Sequence, residues 1–226
     1  MLKQAAGLLG YVALFAAFLF VPAGTLHWRA AWILLGTMLI VRGVSTVLLW
    51  RSQRALLEAR TSVPIPQAGQ PLADRILLPL WMASFAGLVA FTSADVWHLH
   101  LLPGPPEWLR GIGLAVFVAG WWLVYLALRT NAFALTVVRH QEEREQTVID
   151  TGPYAIVRHP MYSGIVVVMA GQTLWLGSTA GLVAALLPTL VLALRILGEE
   201  RLLATSLPAY AAYAANVRSR LVPGVW

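Results

Sequence analysis

The chain reads Gly152-Pro153-Tyr154-Ala155-Ile156-Val157-Arg158-His159-Pro160-Met161-Tyr162-Ser163-Gly164 and then continues as a long apolar run. The residue before a proline is pushed out of the α region, so we expect His159 to lie just outside a helix that begins near Pro160. This geometry directs the His159 ring and the N–H groups of the first helical turn at one point. A polar ligand can dock at that point.

The composition is that of a membrane protein. Of the 226 residues, 59% are hydrophobic and 12% are charged, about half the charge of an ordinary soluble domain. The chain has no cysteine, which excludes disulfides, thiolate metal sites and cysteine nucleophiles. The formal charge of +6 indicates cytoplasmic loops rather than nucleic-acid binding, and we predict no metal site.

Apolar residues fall into six blocks that predict helices. Most reach the roughly 20 residues that a helix needs to cross the hydrocarbon core, although the fifth is short. We predict an all-α, polytopic transmembrane helix bundle of about six spans with a C-terminal cytoplasmic helix. Pro188 should kink the sixth span near its middle. The blocks are 5–24, 30–50, 76–94, 108–128, 161–176 and 181–197.

Basic residues predict the orientation of the bundle. In a six-span arrangement Arg29 and Arg110 lie on one side, and 13 basic residues lie on the other. The positive-inside rule therefore places both termini and the 152–164 motif in the cytoplasm. We divide the chain into a four-span region, 1–128, and a core, 129–226, that holds the polar residues. Within the first region, 62–71 is predicted to be a loop after an amphipathic stretch.

Among the charged residues at or within the apolar blocks, Arg42, Arg195 and Glu199 are candidates for a buried or functional position. Arg195 and Glu199 are spaced i, i+4 on one helical face, which permits either a structural ion pair or a functional site. Arginine before glutamate is the less favourable order for such a pair, and charges at membrane depth usually face a protein-lined cavity. Arg42 lies well inside the second block. It can reach the interface by snorkelling or face the interior of the bundle.

Together these motifs resemble the isoprenylcysteine carboxyl methyltransferase family, which forms a wider group with the membrane phospholipid N-methyltransferases. The resemblance covers about 131–226. It rests on the polar strip 137–141, the 152–164 motif, a helical hairpin, and the pair Glu199-Glu200 followed by a tail.

The resemblance implies that S-adenosylmethionine binds in a cytoplasmic pocket closed by the C-terminal segment, with a lateral opening for a lipid. It also implies that Arg195 binds the methyl-accepting substrate as the catalytic residue. Animal enzymes have an uncharged amide where this chain has Arg139. By position, the cofactor contacts are Arg139, Gln146, Thr147, Val148, Ile149, Tyr154, His159, Pro160, Met161, Tyr162 and Glu199.

The chemistry of a methyl sulfonium agrees with these residues, because the cofactor supplies the reactivity and the protein supplies positioning. The first candidate reaction is O-methylation of a lipophilic carboxylate of the prenylcysteine type, held by the Arg195 fork. The second is N- or O-methylation of another lipid, such as a phospholipid amine. The third possibility is a non-enzymatic membrane protein on the same scaffold. About six spans, where animal members have about eight, favour a prokaryotic plasma-membrane protein.

Overall fold

The computed structural model of the chain describes residues 2–62, 67 and 69–226, and only the backbone of Thr61 and Ser62. Its described part is helical and contains no strand, which confirms the predicted all-α class. Of the predicted loop 62–71, residues 63–66 and 68 lie outside the described residues. The helices are α1 (Leu2–Ala23), α2 (Arg29–Ser52), α3 (Arg54–Ser62), α4 (Leu72–Ala94), α5 (Glu107–Thr130), α6 (Pro160–Leu176), α7 (Thr179–Ala184), α8 (Leu186–Ser206) and α9 (Tyr210–Asn216).

Five helical segments of the described chain are long and apolar enough to cross a membrane, so this is an integral membrane protein. The predicted fifth span, α6, has 17 residues and falls short of them. A helix of that length extends about 26 Å, against a hydrocarbon core of about 30 Å. The sixth crossing therefore stays a prediction. The five segments are Leu2–Ala23, Arg29–Ser52, Leu72–Leu99, Glu107–Thr130 and Thr179–Ser206.

Glycines bring α5 and α6 into close contact. A Cβ atom on Gly164 would lie 2.8 Å from the carbonyl oxygen of Gly120, and one on Gly120 would lie 2.7 Å from the backbone nitrogen of Val168. Gly171 faces the backbone of Phe117 in the same way. Real side chains do not fit such gaps, so the small residues allow the two helices to touch. The start of α6, which carries the 152–164 motif, is fixed in place by this packing.

The break in the last long segment lies closer to its start than predicted. Helix α7 ends at Ala184 and α8 begins at Leu186, with Ala185 between them. Pro188 follows by three residues and has no N–H to donate to the carbonyl of Ala184, so the regular helix is interrupted there. The expected kink near the middle of this span is therefore wrong, because a proline disturbs the turn that precedes it.

Candidate active site

The 152–164 motif folds as two turns around its two prolines. Gly152 has φ +57 and opens a short 3₁₀ turn through Ala155. A left-handed φ of this kind favours glycine. His159 has φ −125 and ψ 60 and caps α6, which begins at Pro160 as predicted. The His159 and Tyr162 rings lie one helical turn apart and stack, with centroids 5.7 Å apart and planes 10° apart.

The start of α6 forms one wall of a polar pocket. Loop 131–149, the end of α8 and α9 form the other walls. Protein atoms leave about 840 Å³ of space in it, its open side included. All the predicted cofactor residues except Pro160 line this pocket. They are Arg139, Gln146, Thr147, Val148, Ile149, Tyr154, His159, Met161, Tyr162 and Glu199.

Arg195 and Glu199 do not form an ion pair with each other. The Tyr162 hydroxyl stands between them: it donates to Glu199 Oε2 at 2.8 Å and accepts from an Arg195 N–H at 3.1 Å. Arg195 instead pairs with Asp74 in the first turn of α4, with Nε 2.7 Å from Oδ1. Both side chains are 5% exposed. Arg195 also donates to the carbonyl of Thr136. One hydrogen-bonded network thus joins Asp74, Arg195, Tyr162 and Glu199.

Glu200 joins the motif to the C-terminal tail. Its Oε1 accepts from Arg158 Nε at 2.7 Å and lies 3.2 Å from His159 Nε2, while its Oε2 accepts from Arg220 Nε at 2.9 Å. Backbone hydrogen bonds reinforce the contact, because Arg158 and His159 donate to the carbonyls of Ser219 and Arg220. Glu200 therefore has a structural role: its ion pairs hold the C-terminal tail over the start of α6.

Glu199 has unused capacity to bind a cation. Only its Oε2 accepts a hydrogen bond from a described residue, and it forms no ion pair within the described part of the chain. In the same pocket, the buried Tyr210 hydroxyl has no hydrogen-bond partner among the described residues. Burial raises the pKa of Tyr154 well above its usual value and that of Tyr213 to about 12, so both phenols are neutral at pH 7.

A second, mainly apolar cavity lies on the other side of Met161 and Tyr162. Its wall includes residues of α1, α2, α4, α5, α6 and α8, and its unfilled space, open side included, is about 1400 Å³. Met161 and Tyr162 are the residues that line both the polar pocket and the apolar cavity. The cavity wall includes Phe15, Leu78, Trp81, Phe85, Trp121, Val168 and Leu192, and the arginines Arg42, Arg60 and Arg195.

Arg42 faces the interior of the bundle rather than snorkelling to the interface. Its guanidinium carbon lies 4.0 Å from the centre of the Tyr11 ring and 4.7 Å from that of the Trp121 ring. Arg60 reaches the same cavity from α3, donates to the carbonyl of Ala134 at 2.5 Å and lies 4.0 Å from the sulfur of Met161. The structure therefore settles the alternative that the sequence left open for Arg42.

The sequence analysis missed the roles of Asp74, Arg60 and Glu200. Asp74 and Arg195 are 121 residues apart, and no local pattern links them. The signal for Asp74 was its place directly before a long apolar block, where a carboxylate needs a partner. Arg60 belongs to the short amphipathic stretch that the sequence did mark, and α3 confirms that stretch as a helix.

Residues 108–209 match a family model described as phospholipid methyltransferase. No curated protein matches the chain. The match includes the 152–164 motif, the helical hairpin and Glu199. It begins in α5, a helix that the predicted division at residue 128 assigned to the first region. It confirms the predicted class: the protein is an S-adenosylmethionine-dependent membrane methyltransferase that acts on lipid. The match does not distinguish the isoprenylcysteine carboxyl methyltransferases within that wider group.

Proposed function

We propose that the protein transfers a methyl group from S-adenosylmethionine in the polar pocket to a phospholipid in the apolar cavity. The observation that carries this proposal is the shared wall of Met161 and Tyr162. It separates a pocket with a carboxylate from a cavity with guanidinium groups, and none of these charges has an ion-pair partner among the described residues except Arg195. The cofactor carries a sulfonium and an ammonium group, which suit Glu199. A lipid carries apolar chains, which suit the cavity.

The described residues of the polar pocket fit this cofactor. Glu199 offers its free Oε1 to a cationic group or to ribose hydroxyls. Tyr154, Tyr162 and Tyr213 offer aromatic faces, which attract cations. His159 holds its position through Glu200 and presents its ring to the same space. These residues and the others predicted from sequence that line the pocket are our candidates for holding the cofactor, except Arg139, which is engaged by Gln67 and Glu143.

In this proposal the cofactor supplies an electrophilic methyl group and needs no metal or covalent intermediate. The task of the protein is orientation, because transfer needs an in-line approach within about 3–3.5 Å. Tyr162 fixes Glu199 through its hydroxyl and separates the two chambers. Arg195 is positioned by Asp74 and retains one N–H on each terminal nitrogen for an acceptor. We keep Arg195 as the candidate substrate-binding residue.

O-methylation of a lipophilic carboxylate of the prenylcysteine type is the second candidate. The observation in its favour is that Arg195 lines the apolar cavity, where its two remaining N–H groups can hold a carboxylate. The ion pair with Asp74 offsets the charge of Arg195, however, which favours a substrate whose anionic group is held elsewhere. We therefore place the phospholipid first.

The test is incubation of the purified protein with methyl-labelled cofactor and a lipid extract. We expect label in a phospholipid fraction that mild base does not release as methanol. Label that mild base releases as methanol would instead identify a methyl ester and the carboxylate candidate. Arg54→Gln is a matched control, because Arg54 is exposed and its contacts with Glu58 and the Trp50 ring lie outside both the pocket and the cavity. Absence of labelled lipid with the intact protein would contradict the proposal.

We also propose that the polar pocket opens to the cytoplasm, on the basis of the distribution of basic residues. Reporter fusions after Arg60 and after Thr151 should then give cytoplasmic signals, whereas a fusion within 103–107 should not. A signal from the opposite side of the membrane at Thr151 would overturn this orientation.

A further inference from the structure

The apolar cavity holds two guanidinium groups that have no carboxylate partner in the described part of the chain. Arg42 and Arg60 line it, and neither forms an ion pair with any described residue. The third arginine in the wall, Arg195, is neutralised by Asp74. Among the described residues that line this cavity, none is Asp or Glu. The wall therefore carries an excess of positive charge that faces an apolar space.

Arg42 lies deep in the bundle. It precedes the end of α2 by ten residues, which corresponds to about 15 Å along the helix axis. The rings of Tyr11 and Trp121 stabilise its charge, but a ring face leaves most of the guanidinium N–H groups without an acceptor. Charge at membrane depth is expensive and usually faces a cavity that serves a substrate or an ion. An anion in the cavity would supply the negative charge and the hydrogen-bond acceptors that the Arg42 guanidinium needs.

Arg60 lies beside the partition between the two chambers. Its N–H groups contact the carbonyl of Ala134 and the sulfur of Met161. Burial lowers the pKa of Arg60 to about 10, and Tyr162 acts in the opposite direction. The positive charges of Arg42 and Arg195 lower this pKa further, so Arg60 lies within electrostatic range of both. Arg60 still carries its charge at pH 7.

We propose that Arg42 and Arg60 bind the phosphate of the lipid substrate, in a subsite separate from the methyl-accepting group. The inference rests on the proposed function and assigns the substrate to the phosphate-bearing lipids. Two planar guanidinium forks match the geometry of phosphate oxygens. The apolar part of the wall, with Phe15, Trp81 and Phe85, remains for the acyl chains.

Calorimetry without cofactor tests the subsite, with the full-length protein in detergent and three probes: hexadecyl phosphate, hexadecanol and inorganic phosphate. We expect saturable binding of hexadecyl phosphate, at least about tenfold tighter than either other probe. Arg42→Gln and Arg60→Gln should each weaken it about tenfold or more, the scale of a lost hydrogen bond to a charged group. Arg54→Gln should bind as the wild type does.

Three results would overturn the subsite: hexadecanol binding as tightly as hexadecyl phosphate, inorganic phosphate binding as tightly, or both glutamine variants binding as the wild type. If Arg42→Gln does not fold, Arg42→Lys decides, because lysine keeps the charge and loses the fork; unchanged binding would then contradict the proposal. Because cofactor is absent, phosphate-lipid binding without methyl transfer would remove the proposed function and keep the subsite. Methyl transfer without this binding would remove the subsite and keep the proposed function.

Discussion

The two chambers that meet at Met161 and Tyr162 carry charges of opposite sign. The polar pocket presents Glu199, a carboxylate with one oxygen that accepts no hydrogen bond from a described residue. The apolar cavity presents Arg42 and Arg60, which lack carboxylate partners among the described residues. In our proposal each chamber complements one reactant, a cationic cofactor on one side and an anionic lipid on the other. The difference suggests a division of labour in which charge selects each reactant before the reacting groups meet.

The hydrogen-bonded network that runs from Asp74 through Arg195 and Tyr162 to Glu199 connects the two chambers. Breaking this network should therefore have the largest effect on stability and activity. Asp74→Ala leaves Arg195 buried without its counter-ion, and we expect the free energy of unfolding to fall by about 3–5 kcal/mol. Denaturation of the purified protein in detergent measures this. The double variant Asp74→Leu with Arg195→Met should recover most of the stability but no methyl transfer. If Asp74→Ala unfolds like the wild type, the ion pair does not hold the chambers together.

The polar pocket alone is probed by His159→Ala and Glu199→Ala. We expect each to weaken cofactor binding by about 1.5–3 kcal/mol, since each removes a polar or charged contact. Titration calorimetry with S-adenosylmethionine gives the affinities. Arg195→Ala provides the comparison: if it weakens cofactor binding as much as Glu199→Ala does, Arg195 serves the cofactor rather than the acceptor. Wild-type protein that binds no cofactor at saturation would remove the pocket assignment altogether.

The packing that holds the pocket in place is probed by Gly171→Ala. The added Cβ would meet the backbone of Phe117, so α5 and α6 must separate, and we expect a loss of about 1–3 kcal/mol in stability. Gly36→Ala in α2 is the matched control, because nothing lies within 4 Å of its Cβ position. Thermal unfolding should show a lower midpoint for Gly171→Ala only. Equal midpoints for both variants would mean that the close contact is dispensable.

Arg139→Gln should have the smallest effect. Arg139 pairs with the half-exposed Glu143 and bonds Gln67 at 3.0 Å, and such surface pairs contribute less than about 1 kcal/mol. We expect cofactor affinity to change by less than about fivefold in the same calorimetric titration. A loss as large as that of Glu199→Ala would show that Arg139 contacts the cofactor directly.

The contrast between the chambers also explains what the sequence could predict. His159 and Tyr162 belong to one continuous motif, and the resemblance carried by that motif and by Glu199 implied the residues of the polar pocket in advance. The apolar cavity is assembled from seven helices, and the pair Asp74–Arg195 joins residues 121 positions apart. Helical periodicity carries no information on which faces meet across such distances. Even the direction of Arg42 depended on the positions of Tyr11 and Trp121.

The most direct test of the central claim, that each chamber serves one reactant, compares initial rates of methyl transfer in Arg42→Gln and Glu199→Gln while cofactor and lipid concentrations are varied in turn. We predict that Arg42→Gln raises the KM for the lipid about tenfold or more and leaves the KM for the cofactor within about twofold. Glu199→Gln should raise the KM for the cofactor about tenfold or more and leave the KM for the lipid within about twofold. If both substitutions raise the same KM, the two chambers do not hold separate reactants and the account is wrong.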